Sequence, residues 1–400
     1  MFTANEVKRA SLTLAAAALL LAQVSPRAAG LHGRALVFDA HIHMVNRQLY
    51  DGGDIGQRYP DGQVDLPRLK EGGVDALFFS IFVSEEYYPG RHETRQAFRL
   101  LEEAHRQIER NRDRIAIAYT ASDIERLHKQ GKMAAFLDLE GGFDLDGDLR
   151  ILRALYRMGL RSAQLPAHNW ANNFADSCCA QRKHGGLNEQ GRAVVREMNR
   201  LGMVINIAHG SEQTIEQAIE LSTDPILSTH DGLRHFNDIP RTMPDYLLKK
   251  LAAKGGVIGI QIGNEFHNRP LFDYRTKQAG RPFWDTTSVA KQRATMTMAE
   301  LDALAAKHFP MVGIQAPPEL LFSVDDWFKT VDYVIQLVGE DHVMLGTDLD
   351  GGPTLPRGMR DCRDLPLLTE AMLKRGYSET RIRKFLGENL LRVVRRVTDQ

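Results

Sequence analysis

Five stretches of this chain run apolar and then stop at a side chain that can bind a metal. LVFDAHIH ends on His41 and His43, AAFLDLE on Glu140, VINIAH on His209, PILSTH on His230 and VMLGTD on Asp348. Short apolar runs bounded by turn residues read as buried strands. In a (β/α)8 barrel the C-terminal ends of such strands meet at one face. That architecture brings ligands spread over about 300 residues of sequence into one place.

Apolar runs lie near 35–43, 74–83, 114–119, 133–140, 160–168, 203–209, 225–230, 256–262 and 342–348. Between most of them stand helical segments of mixed charge, such as RQAFRLLEEAHRQIERNRDR and GRAVVREMNRLG. Alternating strand and helix predicts an α/β fold with a parallel sheet and covering helices, here a (β/α)8 TIM barrel with its site at the C-terminal strand ends. Nine runs are one too many, and IAIAYT (114–119) is expected to be an extra piece joining a helix to a strand. One domain is expected over residues 31–400. Its longest interval, near 263–330, contains NRPLFDYRTKQAGRPFWDTT and the helical QRATMTMAELDALAAKHF. This interval reads either as an elaborated βα loop at the active-site face or as a surface insertion remote from it. RIRKFLGENLLRVVRR reads as an amphipathic closing helix with a solvated face.

With 43% apolar and 26% charged residues, 400 residues can bury a large core. A net charge of zero gives no electrostatic basis for a nucleic-acid partner. Beyond the N-terminus no apolar run is long enough to span a membrane. At the N-terminus, Lys8 and Arg9 precede an apolar run from Leu12 to Val24 and then SPRAAG, the order of a secretory signal peptide. Residues 1–30 are therefore expected to direct export, giving a periplasmic or secreted protein. The alternative is an N-terminal helix packed on the barrel of a cytoplasmic one. Cys178, Cys179 and Cys362 allow at most one bridge, and without a CxxC spacing they are not expected to hold metal.

His41 and His43 sit at i and i+2 on one strand, so both face the same side and one metal can take both imidazoles. Glu140 ends a strand between apolar residues, where an unpaired carboxylate is expensive and calls for a cation. The glycines that follow it, Gly141 and Gly142, are expected to leave room beside the backbone for a bulky centre. A carboxylate has two oxygens and can bridge two cations, and His209 with His230 supplies imidazoles for the second. This N/O set suits a dinuclear zinc site. Asp348 is open to three roles: sixth ligand, general base, or both. Asp350, followed by Gly351, is expected to be turn chemistry. His168 ends another run without a place among the ligands, which suits a donor to a developing oxyanion. Arg241 reads as a bidentate fork for a substrate carboxylate or as half of a surface salt bridge.

With these residues in place, the chain resembles the membrane (renal) dipeptidase family of zinc peptidases from about residue 36 to 395. QVDLPRLKEGGVDALFFSIFV, LEGG, GLRSAQLPAHNWANNFADS, GGLNEQGRAVVREMNRLGMVINIAH, PILSTH, PRTMPD, HVMLGTDLDG and LGENLLRVV are similar to family segments in matching order. The resemblance implies His41 and the residue two on at one zinc, Glu140 bridging, and His209 with His230 at the other. It implies substrate binding by His168 and Arg241 and an acid/base role for Asp348. The family's first motif is HxD, whereas this chain has His43, so the site carries one negative charge fewer. INIAH likewise has Asn206 where the family often has Asp, and the 263–330 interval is longer than the family's.

The expected activity is therefore zinc-dependent hydrolysis of a dipeptide by a metal-bridging hydroxide, and the resemblance implies tolerance of a D-residue on the C-terminal side. It also extends the family's habit of pairing to a homodimer here. Rival readings are a deacylase, lactonase or lyase on the same barrel, or a metal-binding protein without turnover. Asp348 and His168 weigh against the last, because a binding module has little need of a proton carrier.

Overall fold

The computed structural model describes residues 24–399 except 85–87, 89–91, 143–146, 171, 283–292, 294 and 308. The run expected to direct export lies outside the described residues up to residue 23. Ten strands form: β1 (Phe38–His43), β2 (Ala76–Phe82), β3 (Ile115–Ile117), β4 (Met133–Glu140), β5 (Ser162–Gln164), β6 (Val204–Asn206), β7 (Leu227–Leu233), β8 (Thr242–Met243), β9 (Val257–Ile260) and β10 (Val343–Leu345). Eight of them pair in the order β1-β2-β4-β5-β6-β7-β9-β10, all parallel, with helices alternating along the chain. β3, the IAIAYT run, pairs with β4 beside this path.

Closure is carried by backbone and by one buried carboxylate. Ile42 and Leu349 form a parallel bridge, and His43 N–H donates to Leu349 O at 3.0 Å. Asp39 accepts from His41 N (3.1 Å) on its own strand and from Thr347 N (3.0 Å) and Thr347 Oγ1 (2.6 Å) across the seam. The barrel is thus a TIM barrel, and its seam runs directly beneath the expected ligands.

The lumen is filled from below. Phe38, Phe78, Phe136, Val204, Leu227, Val257 and Met344, each from a different strand, form one apolar cluster with Leu390, Val393 and Val394 of the C-terminal helix (Asn389–Thr398). Side chains that converge from seven strands can meet only inside the barrel, so this helix plugs the end opposite the ligands. Its Arg395 and Arg396 stay at the surface, the solvated face expected of RIRKFLGENLLRVVRR. β2 and β4 are buried at every position, as parallel strands covered on both faces are.

β1 carries a bulge. Phe38 and Asp39 stand opposite Ala76 and Leu77, but Ile42 and His43 stand opposite Phe79 and Ser80, so β1 has one residue more than β2 over that stretch. A bulge resets the alternation of faces. Phe38 can therefore join the lumen cluster while His43, five residues on, also points inward.

Helix Pro26–His32 crosses the expected boundary at residue 30 and packs on helix Pro366–Lys374. Ser25 N and Oγ donate to Glu370 (2.9 and 2.6 Å), and the His32 ring bridges Thr369 Oγ1 (2.8 Å) and Gly72 O (2.9 Å). In the 263–330 interval, capping boxes at Thr297/Glu300 and Ser323/Asp326 start the helices Met298–Ala305 and Val324–Val338. Asp302 of the first accepts from Tyr88 Oη (2.7 Å) and Arg99 (2.7 and 3.0 Å), which fastens the interval to helix Glu93–Arg110. Cys178 and Cys179 are bonded to each other, and Cys362 is a buried free thiol. Among the described residues no helix is long and apolar enough to cross a membrane.

Candidate metal centre

Every residue expected at the site from the sequence arrives at the C-terminal end of the barrel. Glu140 is the hub. Its Oε2 lies 2.7 Å from His41 Nε2 and 3.4 Å from His43 Nε2, and its Oε1 lies 3.2 Å from His209 Nε2 and 3.5 Å from His230 Nε2. One oxygen faces one imidazole pair and the other oxygen faces the second. Asp348 Oδ1 stands 3.0 Å from His43 Nε2, and His168 Nε2 stands 3.7 Å from Glu140 Oε1.

The far nitrogens of the rings fix their orientation. His209 Nδ1 is 2.9 Å from Asn169 Oδ1, and His230 Nδ1 is 3.0 Å from Thr229 Oγ1. With Nδ1–H donating to those oxygens, each Nε2 presents a lone pair to the centre. His41 Nδ1 faces the Asp138 carboxylate at 3.7 Å. Asn206 then donates to both Asp138 Oδ2 (3.2 Å) and Thr229 Oγ1 (2.8 Å), joining the supports of the two pairs. A carboxylate at position 206 could donate to neither, which gives the Asn206 departure a physical content. His43 Nδ1 has no hydrogen-bond partner among the described residues, and the ring is held instead by its edge contact with Phe82 (5.1 Å).

Several site residues sit on strained backbone. His168, His209, Asp348 and Asp350 have φ of 50°, 63°, 61° and 59°. Left-handed backbone at a non-glycine residue costs on the order of 1–3 kcal/mol and persists where surrounding structure over-determines it. The turns at His168, His209 and Asp348 lift those side chains out of β5, β6 and β10, which end three or four residues earlier.

The charge distribution fits a cation. Burial opposes a charge on His41, but Glu140, Asp138 and Asp348 outweigh it and push its pKa up to about 10. Burial would likewise raise the Glu140 carboxyl, and the charge on His41 with hydrogen bonds from His209, His230 and His41 holds it well below its ordinary value. A field that retains a proton at His41 this firmly is one a metal ion would use in its place. His209 and His230 (pushed down to about 3) are kept neutral chiefly by burial, the state in which imidazole ligates. His41, His43, Glu140, His209, His230 and Asp348 can therefore hold metal.

Above them lies a cavity of about 200 Å³, lined by His43, Glu140, His168, His209, Arg241 and Asp348 among others. The profile of the membrane dipeptidase family, peptidase family M19, matches residues 26–400. The chain belongs to this family. As an M19 member it is a metallo-dipeptidase, and its reaction is metal-dependent hydrolysis of dipeptides. It is 29% identical to dipeptidase tcpJ of Claviceps purpurea over 349 residues, 84% of this chain and 70% of that protein. To dipeptidase 3 of Mus musculus it is 28% identical over 373 residues, 90% and 64% of the two chains. Two solved structures share its barrel. The probable dipeptidase PvdM of Pseudomonas aeruginosa has a TM-score of 0.77 at 24% identity, with 94% of this chain and 100% of that chain covered. A metallo peptidase of Rhodobacter sphaeroides, solved with a phosphinate mimic of the dipeptide L-Ala-D-Ala, has a TM-score of 0.71 at 23% identity, with 91% and 99% covered.

In this dipeptidase Arg241 differs from both of its expected forms. It is buried, Nη1 pairs with Asp231, and Nη2 donates to His230 O at 2.7 Å. The fork is spent on the protein, so neither a free bidentate clamp nor a surface salt bridge describes it. Nε has no hydrogen-bond partner among the described residues. The expected role of the glycines after Glu140 changes as well. Gly141 and Gly142 have φ of 69° and 63°, and a Cβ on Gly142 would meet Val83 at 2.7 Å, so they turn the chain out of β4. The glycine that makes room for the centre is Gly351, where a Cβ would lie 2.0 Å from Asp348 Oδ1 and 2.7 Å from the His43 ring.

Sequence reasoning also missed Gln261. Its Nε2 donates to Asp348 Oδ2 at 3.0 Å, and its carbonyl accepts from Trp327 Nε1 (2.9 Å) and the His267 ring (2.7 Å). A polar residue inside the apolar run GGVIGIQIG was the available signal. His267 is wholly buried, and burial pushes its pKa down to about 4 despite the bond to Gln261 O. Its ordinary value is about 6.5, so between pH 6.5 and 4 the unfolded chain binds the proton and the folded chain does not. Stability present above pH 6.5 is therefore lost as pH falls, by about 3 kcal/mol at pH 4 from this group. Denaturant unfolding of wild type and His267→Gln at pH 7 and pH 4 should show a ΔΔG that shrinks by about that amount; a ΔΔG that does not change with pH would clear His267 of the effect.

Proposed function

We propose that this dipeptidase holds two zinc ions, one at His41 and His43 and the other at His209 and His230, with Glu140 between them. The observation that carries this reading is the placement of Glu140, each of whose oxygens faces one imidazole pair. Nitrogen and oxygen donors of this kind suit zinc. Bound there, the metal would polarise the scissile carbonyl and make water acidic enough to attack near neutral pH. Asp348, with Oδ2 anchored by Gln261, takes the proton and returns it to the leaving amine. His168 is pushed down to about 4, mainly by burial, so it is neutral at working pH and donates an N–H to the oxyanion. Arg241 offers Nε–H and its charge to the free C-terminal carboxylate, which restricts the enzyme to short substrates.

Arg241→Lys keeps a cation for Asp231 but removes the Nε donor. A charged hydrogen bond contributes about 1.5–3 kcal/mol, so KM should rise by roughly 10- to 100-fold with kcat little changed. An unchanged KM would remove Arg241 from substrate binding. Arg241→Ala is the poorer test, because it leaves the buried Asp231 carboxylate with a hydrogen bond from Ser228 but no ion-pair partner, at a cost of about 3–5 kcal/mol in stability.

The L-Ala-D-Ala mimic bound by the Rhodobacter sphaeroides protein supports acceptance of a D-residue at the C-terminal position. The experiment is product detection by mass spectrometry from L,L and L,D dipeptides, with zinc-loaded and chelated protein. Cleavage of both classes by the loaded form alone is expected. Intact dipeptides from protein that retains two zinc ions would sink the substrate assignment. The reading extends to export, with Lys8, Arg9 and the run to Val24 as the signal; recovery of the chain solely from the cytoplasmic fraction would refute that part.

A further inference from the structure

The long interval between β9 and β10 reaches the metal cavity. Met311 of that interval forms a parallel bridge with Gly351, and it lines the cavity together with Phe82, the last residue of β2. A Cβ built on Gly352 would stand 4.0 Å from Met311 Cβ, and one built on Gly351 would meet the His43 ring at 2.7 Å. Phe82 lies against the same ring, 5.1 Å between centroids, and 5.0 Å from the His168 ring. Met311 and Phe82 therefore share the wall that carries His43.

Arg241 stands on the opposite side. It is held by Asp231 and His230 O of β7, and Phe266, the second phenylalanine of the cavity, lies 5.5 Å from its guanidinium. In the order β1-β2-β4-β5-β6-β7-β9-β10, β2 is second and β7 sixth, half a turn apart in a closed ring of eight. A dipeptide with its carboxylate at Arg241 and its scissile bond over Glu140 has one direction left. Its N-terminal residue runs toward Phe82 and Met311. The carboxylates and guanidiniums that line the cavity are all engaged: Glu140 with the imidazole pairs, Asp348 with His43 and Gln261, Arg241 with Asp231 and Arg275 with Glu265. An ionised side chain brought to this wall would give up water for partners that are already taken. An apolar one buries its surface against a ring and a thioether, whose rotatable bonds let it follow different shapes.

We propose that Met311, with Phe82, forms the subsite for the N-terminal side chain and selects dipeptides in which that side chain is apolar. The proposal rests on the reading above, with Arg241 at the C-terminal carboxylate. Met311 is the member to vary, because Phe82 also holds the His43 ring in place.

The test compares kcat/KM for Leu-Ala, Gly-Ala, Glu-Ala and Lys-Ala, and for Ala-Leu against Ala-Gly, with the metal-loaded full chain. Burial of a leucine side chain predicts that Leu-Ala exceeds Gly-Ala by about 10-fold or more. Neither Glu-Ala nor Lys-Ala should reach Leu-Ala. In Met311→Ala the ratio of Leu-Ala to Gly-Ala should fall severalfold, and in Met311→Leu, which conserves volume, it should be kept. Because the ratio is taken within one protein, partial loss of folded enzyme does not move it. A wild-type ratio near one, a charged dipeptide that outruns Leu-Ala, or a ratio unmoved in Met311→Ala overturns the proposal. So does a Met311-dependent preference for Ala-Leu over Ala-Gly in place of the first, since the side chain concerned would then be the C-terminal one. Arg241→Lys separates the reading beneath. If KM is unchanged there while the Met311-dependent preference for Leu-Ala stands, the proposal holds and Arg241 is removed from the carboxylate. If no dipeptide is cleaved, calorimetric binding of the phosphinate analogues of Leu-Ala and Gly-Ala decides without turnover. Tighter binding of the leucine analogue that weakens in Met311→Ala supports the proposal, and equal binding of the two overturns it.

Discussion

Glu140→Gln is expected to lose bound metal and turnover together. Glu140 is the residue that touches both imidazole pairs, at 2.7 and 3.4 Å through one oxygen and 3.2 and 3.5 Å through the other. An amide of the same shape retains one acceptor, loses the negative charge, and turns an NH2 toward one of the pairs, where lone pairs already point. Altering residues that merely support a metal ligand costs 10- to 100-fold in affinity, so removing the shared ligand should cost more than about 100-fold. Metal per chain after dialysis, read by elemental mass spectrometry, should fall toward zero while the wild type retains it. Melting supplies a second check. A metal at 100 times its Kd stabilises the folded state by about 2.7 kcal/mol, so added zinc should raise the Tm of wild type and leave that of the variant in place. A variant that keeps full metal occupancy yet is inactive would reassign Glu140 from ligand to reacting group.

The candidate ligand set was legible because each member ends an apolar run, and a barrel turns run ends into neighbours. Residues deeper in the same runs were harder to interpret. Asp39 and Asp138 interrupt LVFDAHIH and AAFLDLE just as Gln261 interrupts GGVIGIQIG. A buried acid or amide in a strand demands a partner, but the sequence does not say which one. Asp39 turned out to hold the barrel seam through Thr347, and Asp138 to sit behind His41. Strand ends were overestimated for β5, β6 and β10, because apolar periodicity reports burial and not hydrogen bonding. The residues beyond those ends, His168, His209 and Asp348, are buried or enclosed on left-handed backbone, a conformation uncommon outside glycine, and the enrichment of His and Asp in it is too weak to mark particular positions. Arg241 was found but its pairing was not, since Asp231 lies ten residues away across a strand pair that only the fold creates.

Asp348→Asn should lower kcat by about two to four orders of magnitude, the usual contribution of a positioned general acid–base group. The geometry specifies how the substitution sits. Gln261 Nε2 donates to Asp348 Oδ2, so the new amide must keep its oxygen on that side and turn its NH2 toward His43 Nε2, the neighbour at 3.0 Å. Metal at the His41 and His43 pair is therefore expected to bind more weakly, while the His209 and His230 pair, which does not touch Asp348 in this way, keeps its ion. This separates ligation from proton transfer at Asp348. A residue that acts through ligation alone regains its rate when zinc is titrated to saturation, because excess ion replaces what the weakened site loses. A proton carrier does not, because a filled site still lacks a base for the attacking water and an acid for the leaving amine. The expected result is a kcat that stays low at saturating zinc with KM little altered. A second expectation follows from the leaving group: an ester analogue, whose alkoxide departs without the protonation an amine requires, should recover part of the lost rate. Full recovery by zinc alone would leave Asp348 a ligand and move the proton transfer elsewhere in the cavity.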